Sequence, residues 1–276
     1  MACQLLEGKK GIIFGALDNK SIAWKIAERA YEQGASFTLS NTPVALRFGE
    51  IERLSEKCHA EIIPADATSV SDLEYVFSRT MEIFGGKIDF VLHSIGMSMN
   101  VRKGREYDDL DYDYFLKTID VSAVSFHKML QVAKKMDAIN DWGSILALSY
   151  IAAQRTLVGY NDMADAKSLL ESIARSFGYI YGREKNVRIN TISQSPTKTT
   201  AGSAIKGMDG LVDFTDRMSP LGNATADECA DFSVVLFSDL SRKVTMQNIY
   251  HDGGFSSMAM SLKAMTQYNK SLDDEV

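Results

Sequence analysis

Short apolar runs alternate with amphipathic stretches along nearly the whole chain, and that alternation narrows the fold more than any other feature. Gly11-Ile12-Ile13-Phe14-Gly15 reads as a buried strand closing in a glycine turn. Residues 21–33 have helical spacing, with Ile22, Ile26 and Ala30 on one face. Further strands are expected at 35–40, 61–65, 88–94, 143–149, 187–192 and 247–251. Helices are expected at 47–58, 71–84, 113–136, 160–181 and 226–237. Such βαβ units require a parallel sheet covered by helices on both faces. The expected fold class is therefore α/β: a doubly wound, seven-stranded parallel sheet, which a length of 276 residues accommodates as one domain. Residues 195–220 break the alternation, and a loop of that length in a compact domain is usually functional or disordered. The end of the chain, 265–276, is polar and reads as a mobile tail.

Composition excludes several classes. With 45% hydrophobic and 24% charged residues the chain is neither collagenous nor disordered. A net charge of −6 argues against nucleic acid or an anionic membrane as partner. No apolar run approaches the roughly 20 residues that span a bilayer, and the first residues lack the apolar core of a signal peptide. Three scattered cysteines suit a reducing cytoplasm. The four histidines have no ligand spacing, so no metal site is expected.

Chemistry concentrates at the carboxyl ends of the expected strands, where doubly wound sheets bind ligands. Gly15 opens the first strand–helix turn and Ser21-Ile22-Ala23 starts the following helix. Glycine lets the backbone approach a pyrophosphate, and the helix N-terminus attracts its charge. Ser40 ends the second strand without the acidic residue that binds an NAD ribose or the arginine that binds an NADP phosphate, and NADH is the weaker-signalled preference over NADPH. Asp66-Ala67 and Ser94-Ile95-Gly96 end the next two. Asp66 either accepts a bond from an adenine amino group or caps the following helix.

Ser149-Tyr150 follows the fifth strand, and Tyr160 and Lys167 are seven residues apart, two turns along one expected helix. An ammonium near a tyrosine favours its phenolate and improves the hydroxyl as donor and acid. The alternative is a tyrosine and a lysine that merely share a helix face. A literal Tyr-x-x-x-Lys at Tyr181 and Lys185 is set aside, because Gly182 is expected to break the helix that would align the pair.

Taken in order, Gly15, Ser21-Ile22-Ala23, Ser94-Ile95-Gly96, Ser149-Tyr150, Tyr160 with Lys167, and His251-Asp252-Gly253-Gly254-Phe255 resemble the NADH-dependent enoyl-[acyl-carrier-protein] reductases, a divergent branch of the short-chain dehydrogenases. The similarity runs over residues 6–260. It implies a single Rossmann-type reductase domain over residues 1–264. It implies that Tyr160 stabilises the enolate of an enoyl thioester, that Lys167 binds the nicotinamide ribose, and that Tyr150 lines the acyl pocket. The cofactor would meet Gly15, Ser21, Ile22, Ser40, Asp66, Ala67, Ser94, Ile95, Gly96, Lys167, Pro196 and Thr197. The substrate would meet Met97, Tyr150, Tyr160, Met163, Ile205 and Met208. Acyl carrier protein as partner, a homotetramer, and residues 253–260 in an interface are implied in the same way.

The chain departs from the family's pattern after the sixth strand. Ser195 stands before Pro196 where many members have glycine, Lys198 stands where arginine is frequent, and the loop's basic cluster is reduced to Lys206, near Asp209. Two other readings stay open at this point: another short-chain carbonyl reductase, and a catalytically silent dinucleotide-sensing protein.

Overall fold

In the computed structural model, residues 4–47, 50–200 and 207–273 are described. Six parallel strands form one sheet: β1 (Lys10–Phe14), β2 (Ser36–Ser40), β3 (Ile88–His93), β4 (Ile139–Ser149), β5 (Arg188–Gln194) and β6 (Asn248–His251). Their order is β2-β1-β3-β4-β5-β6. The winding reverses between β1 and β3, so the doubly wound architecture stands and its switch point lies at the carboxyl ends of those two strands.

Side-chain alternation along the strands divides the core between two helical layers. Ile12 and Phe14 face one layer with α4 (Val70–Phe84), α7 (Ser125–Lys135) and α8 (Asp162–Lys185). Ile13, Phe90 and Leu92 face the other, with α1 (Ile22–Glu32), α3 (Ile51–Cys58) and α10 (Ala226–Phe237). Ser21 caps α1 and Ser69 caps α4, each side chain accepting a first-turn amide.

Four expectations are corrected. The strand expected at 61–65 makes only one isolated parallel bridge, Ile62 to Leu39. The sheet therefore has six strands rather than seven. β2 ends at Ser40, yet backbone bonds to this segment continue past it: Ile63 N donates to the Leu39 carbonyl at 2.8 Å and Ala65 N to the Asn41 carbonyl at 3.0 Å, so the segment runs beside β2 without becoming a strand of the sheet. The helix expected at 113–136 is α6 (Tyr112–Ile119) and α7 joined by a π-helical turn, Asp120–Val124. The polar residues near the end of the chain form α11 (Leu262–Asp273). Finally, α8 runs unbroken through Gly182 to Lys185. Within the loop region expected at 195–220, residues from 208 form α9 (Met208–Met218). Two short helices, α2 (Pro43–Leu46) and α5 (Met99–Arg102), complete the set used below. Among the described residues no helix is long and apolar enough to cross a membrane.

Packing at the centre of the sheet is close. A Cβ on Gly11 would sit 2.5 Å from the Phe90 ring. That ring is held edge-on by Phe37 at 6.5 Å and tilted against Phe237 at 4.7 Å, so it has no room to withdraw. Gly11→Ala is expected to destabilise the protein by about 1–3 kcal/mol, the cost of overpacking a filled core, measured by urea denaturation.

Candidate active site

A cleft of about 380 Å³ opens at the carboxyl ends of β1, β3, β4 and β5, large enough for a small organic ligand. Gly15, Ser21, Ile22, Ser94, Ile95 and Gly96 line one part of it. Met97, Tyr150, Tyr160, Met163, Lys167, Pro196, Thr197 and Met208 line the rest. Residues more than a hundred positions apart are thus gathered because the strand ends of one parallel sheet, and the helices and turns that follow them, meet on one side.

Gly15 has φ +96°, and a Cβ there would lie 2.1 Å from the Ser94 carbonyl oxygen. Only glycine permits this contact between the two sides of the switch point. Gly96 is similarly confined: its Cβ would lie 3.3 Å from Met163 Cε and 3.7 Å from Lys167 Nζ. The α1 N-terminus presents the unpaired amides that any helix start leaves over. A glycine-floored crevice ending in a helix N-terminus fits a dinucleotide.

Ser40, Asp66 and Ala67 lie off the cleft wall. Ser40 is fully buried and its hydroxyl has no partner among the described residues. Asp66 is occupied locally, accepting from Thr68 N at 2.9 Å and Thr68 Oγ1 at 2.7 Å, and Ser69 rather than Asp66 caps α4. Ile205 and Lys206 lie outside the described residues.

Tyr160 is not on the helix that carries Lys167. It sits in the turn before α8, whose cap is Asn161 at φ 45°, ψ −131°. Its ring packs on Tyr150 with centroids 5.0 Å apart, tilted by 53°. Tyr150 Oη is buried without a hydrogen-bond partner among the described residues. Burial, and then the adjoining Tyr150, push the Tyr160 phenol above its ordinary value. Burial, and then the Asp252 charge, do the same for Tyr150. The phenolate expected from a neighbouring ammonium is therefore disfavoured. Both hydroxyls keep their protons and serve as donors.

Lys167 is buried and donates from Nζ to the Leu148 carbonyl at 2.7 Å. Sequence reasoning missed its surroundings. Glu171, one turn on, is 3% exposed. It accepts from Ser149 Oγ at 2.6 Å and Gln154 Nε2 at 2.9 Å, and Tyr250 Oη donates to Gln154 Oε1 at 2.7 Å. A helical glutamate carries no local signal that it is buried. Leu148, Ser149, Gln194 and Ser195 also line the cleft, and the rule placing ligands beyond strand ends points to all four. Ser195 has a structural use for its hydroxyl, which accepts from Ala224 N at 2.9 Å. Lys198 is paired with Asp209 at 2.7 Å. His93, under the cleft, is kept neutral: burial first, then the Lys167 charge, push its imidazole down to about 3.

The literal Tyr-x-x-x-Lys is placed elsewhere. Tyr181 Oη donates to the Leu130 carbonyl at 2.9 Å in the core, and Lys185 pairs with Asp137. The reason lies in where that end of α8 packs, since Gly182 does not interrupt the helix.

A family model for enoyl-(acyl carrier protein) reductases matches residues 15–256. The chain belongs to that family. It is 35% identical to enoyl-[acyl-carrier-protein] reductase [NADH] 1 of Rhizobium meliloti, over 94% of each chain. It is 33% identical to the FabI NADH reductase of Rickettsia typhi, over 95% of this chain and 99% of that one. A solved FabI–NADH complex from Alistipes finegoldii superposes with a TM-score of 0.95 at 71% identity, covering 96% of this chain and 94% of that one.

The buried lysine has a measurable consequence. Burial lowers the Lys167 ammonium from an ordinary value of 10.5 to about 8, against the opposing pull of Glu171. Between those values the unfolded chain holds a proton that the folded protein has released, so this group makes stability rise with pH. Relative to Lys167→Met, wild-type stability is expected to gain up to about 3 kcal/mol across that window, read from urea denaturation of both proteins at a series of pH values. A flat difference would show that Lys167 is not desolvated.

Proposed function

We propose that Tyr160, Tyr150 and Lys167 are the working groups of this NADH-dependent enoyl-[acyl-carrier-protein] reductase. The protein reduces an enoyl thioester in fatty acid synthesis. The observation that supports the residue assignment is the convergence of two protonated tyrosines and a buried lysine on one glycine-floored cleft at the switch point.

Gly15, Ser21, Ile22, Ile95, Gly96 and Thr197 line the side of the cleft that would hold NADH, which supplies hydride when bound. Hydride addition at the β-carbon of a conjugated thioester moves charge onto the carbonyl oxygen. Tyr160 meets that oxygen with a hydroxyl that burial keeps protonated, so the donor is in place as the charge develops. Tyr150 closes the apolar side of the same oxygen's surroundings, and its hydroxyl, without a partner among the described residues, bonds substrate. Lys167, anchored through the Leu148 carbonyl, has further N–H groups to offer ribose hydroxyls. Met97, Met163 and Met208 give the acyl slot an adaptable apolar lining.

The acyl group arrives on acyl carrier protein in the cytoplasm, and the working form is a homotetramer. Exposed Tyr112 and Leu116 on α6 and Leu169 on α8 support an assembly, since apolar surface of this kind is covered by a neighbouring subunit. The segment 253–260 contributes to an interface; Phe255 in it meets Phe214 edge-on at 6.4 Å.

The reading of a general carbonyl reductase loses its support with Tyr181 and Lys185 outside the cleft. Purified protein with crotonyl thioester is expected to consume NADH, followed by the absorbance of the reduced nicotinamide. Tyr160→Phe is expected to lower turnover by about 10²–10³-fold, as loss of one oxyanion donor does, with NADH affinity nearly unchanged. Lys167→Ala is expected to weaken NADH binding, measured by cofactor fluorescence. Wild-type behaviour of both variants would overturn the assignment.

A further inference from the structure

Beside Tyr160 lies a buried carboxylate with no part in the chemistry above. Asp162 is the first residue of α8 and is 0% exposed. Its oxygens are taken by neutral donors: Ser98 Oγ donates to Oδ1 at 2.6 Å and Asn100 Nδ2 to Oδ2 at 2.9 Å. The helix N-terminus favours the negative charge there.

Both donors are locked in turn. Ser98 caps α5, its hydroxyl accepting from Val101 N at 3.0 Å. Asn100 is fully buried; its Nδ2 also reaches the Asp111 carbonyl at 3.1 Å, and its Oδ1 accepts from Asp111 N at 3.0 Å. The Asn100 amide is thereby held in one orientation, with an N–H aimed at Asp162. Three segments meet at this carboxylate: the cleft wall at 97–102, the cap of α6, and the start of α8. A second tether runs from the π-helical turn, where Ser122 Oγ accepts from Met97 N at 3.0 Å.

The backbone between Tyr160 and Asp162 makes these anchors matter. Asn161, at φ 45° and ψ −131°, is in a conformation uncommon for a residue with a side chain, and its Nδ2 donates to the Arg105 carbonyl. The chain turns sharply there, so α8 does not by itself set the direction of Tyr160. The anchors on either side of the turn do.

We propose that Asp162 is a positioning residue, holding the Tyr160 hydroxyl in register with the acyl-slot wall at 97–102 through its bonds to Ser98 and Asn100. The inference rests on Tyr160 as the donor to the enolate. Preset geometry of this kind raises turnover without adding a contact to the reacting atoms.

The test is a double-mutant cycle with the full chain, NADH and crotonyl thioester. Asp162→Ala is expected to lower kcat by about tenfold or more while leaving NADH affinity within about twofold. In a Tyr160→Phe background the same substitution is expected to change kcat by less than about twofold, because the hydroxyl it positions is gone. Equal losses in both backgrounds, or a fall in melting temperature with kcat unchanged, would overturn the proposal. Should Asp162→Ala fail to fold, Ser98→Ala removes one donor and goes through the same cycle: a loss of kcat confined to the Tyr160 background supports the proposal, and equal losses in both overturn it. Full turnover by Tyr160→Phe alone would remove the donor assignment and this inference together. Independent losses with Tyr160→Phe impaired would remove the inference only.

Discussion

The site depends on one close contact, that of Gly15 with the Ser94 carbonyl. A parallel sheet that winds outward in both directions must separate its loops where the winding reverses, and here that happens between β1 and β3. Absence of a side chain at Gly15 lets the β1 turn come against the end of β3, where a Cβ would stand 2.1 Å from the carbonyl oxygen. The crevice floor is then backbone. Every other group of the site is placed relative to it, because β4 and β5 continue the same sheet and their ends deliver Tyr150, Gln194 and Ser195 to one rim.

On that frame, the buried charged groups beside the tyrosines are received by neutral partners. Lys167 has the Leu148 carbonyl, and Glu171 beyond it has Ser149 and Gln154. The two side chains lie one helical turn apart, so the negative charge opposes the desolvation that lowers the lysine. The result is a lysine still able to donate in a site dry enough to keep both tyrosines protonated. One environment thus sets three groups: burial chiefly raises the phenols, and burial tempered by a carboxylate leaves the lysine titrating near neutrality.

Much of this is legible along the chain. The strand–helix alternation reports burial at periods of 2 and 3.6, and both helical layers appear where that pattern puts them. The motif residues at strand ends are legible because a parallel sheet brings carboxyl ends to one side whatever the loops do. Other features are illegible for identifiable reasons. The segment at 61–65 has strand-like composition and bonds along β2, but it forms only one bridge, an outcome of tertiary placement that its own residues do not signal. Gly182 reads as a breaker, yet α8 carries it, with Phe177 and Tyr181 just before it packed into the core.

The sequence by itself determined the architecture class, the order of the strand-end motifs and the side-chain chemistry those motifs offer. These rest on local periodicity and on residue chemistry, and both are properties of short windows. Only the tertiary structure decided that Tyr160 stands outside the helix of Lys167, that its phenol is raised rather than lowered, and that Asp162 and Glu171 are buried on neutral donors. Those outcomes depend on which distant segment covers a side chain and excludes water from it. For Asp162 the covering segment lies more than sixty residues away, at a distance that no window on the sequence spans.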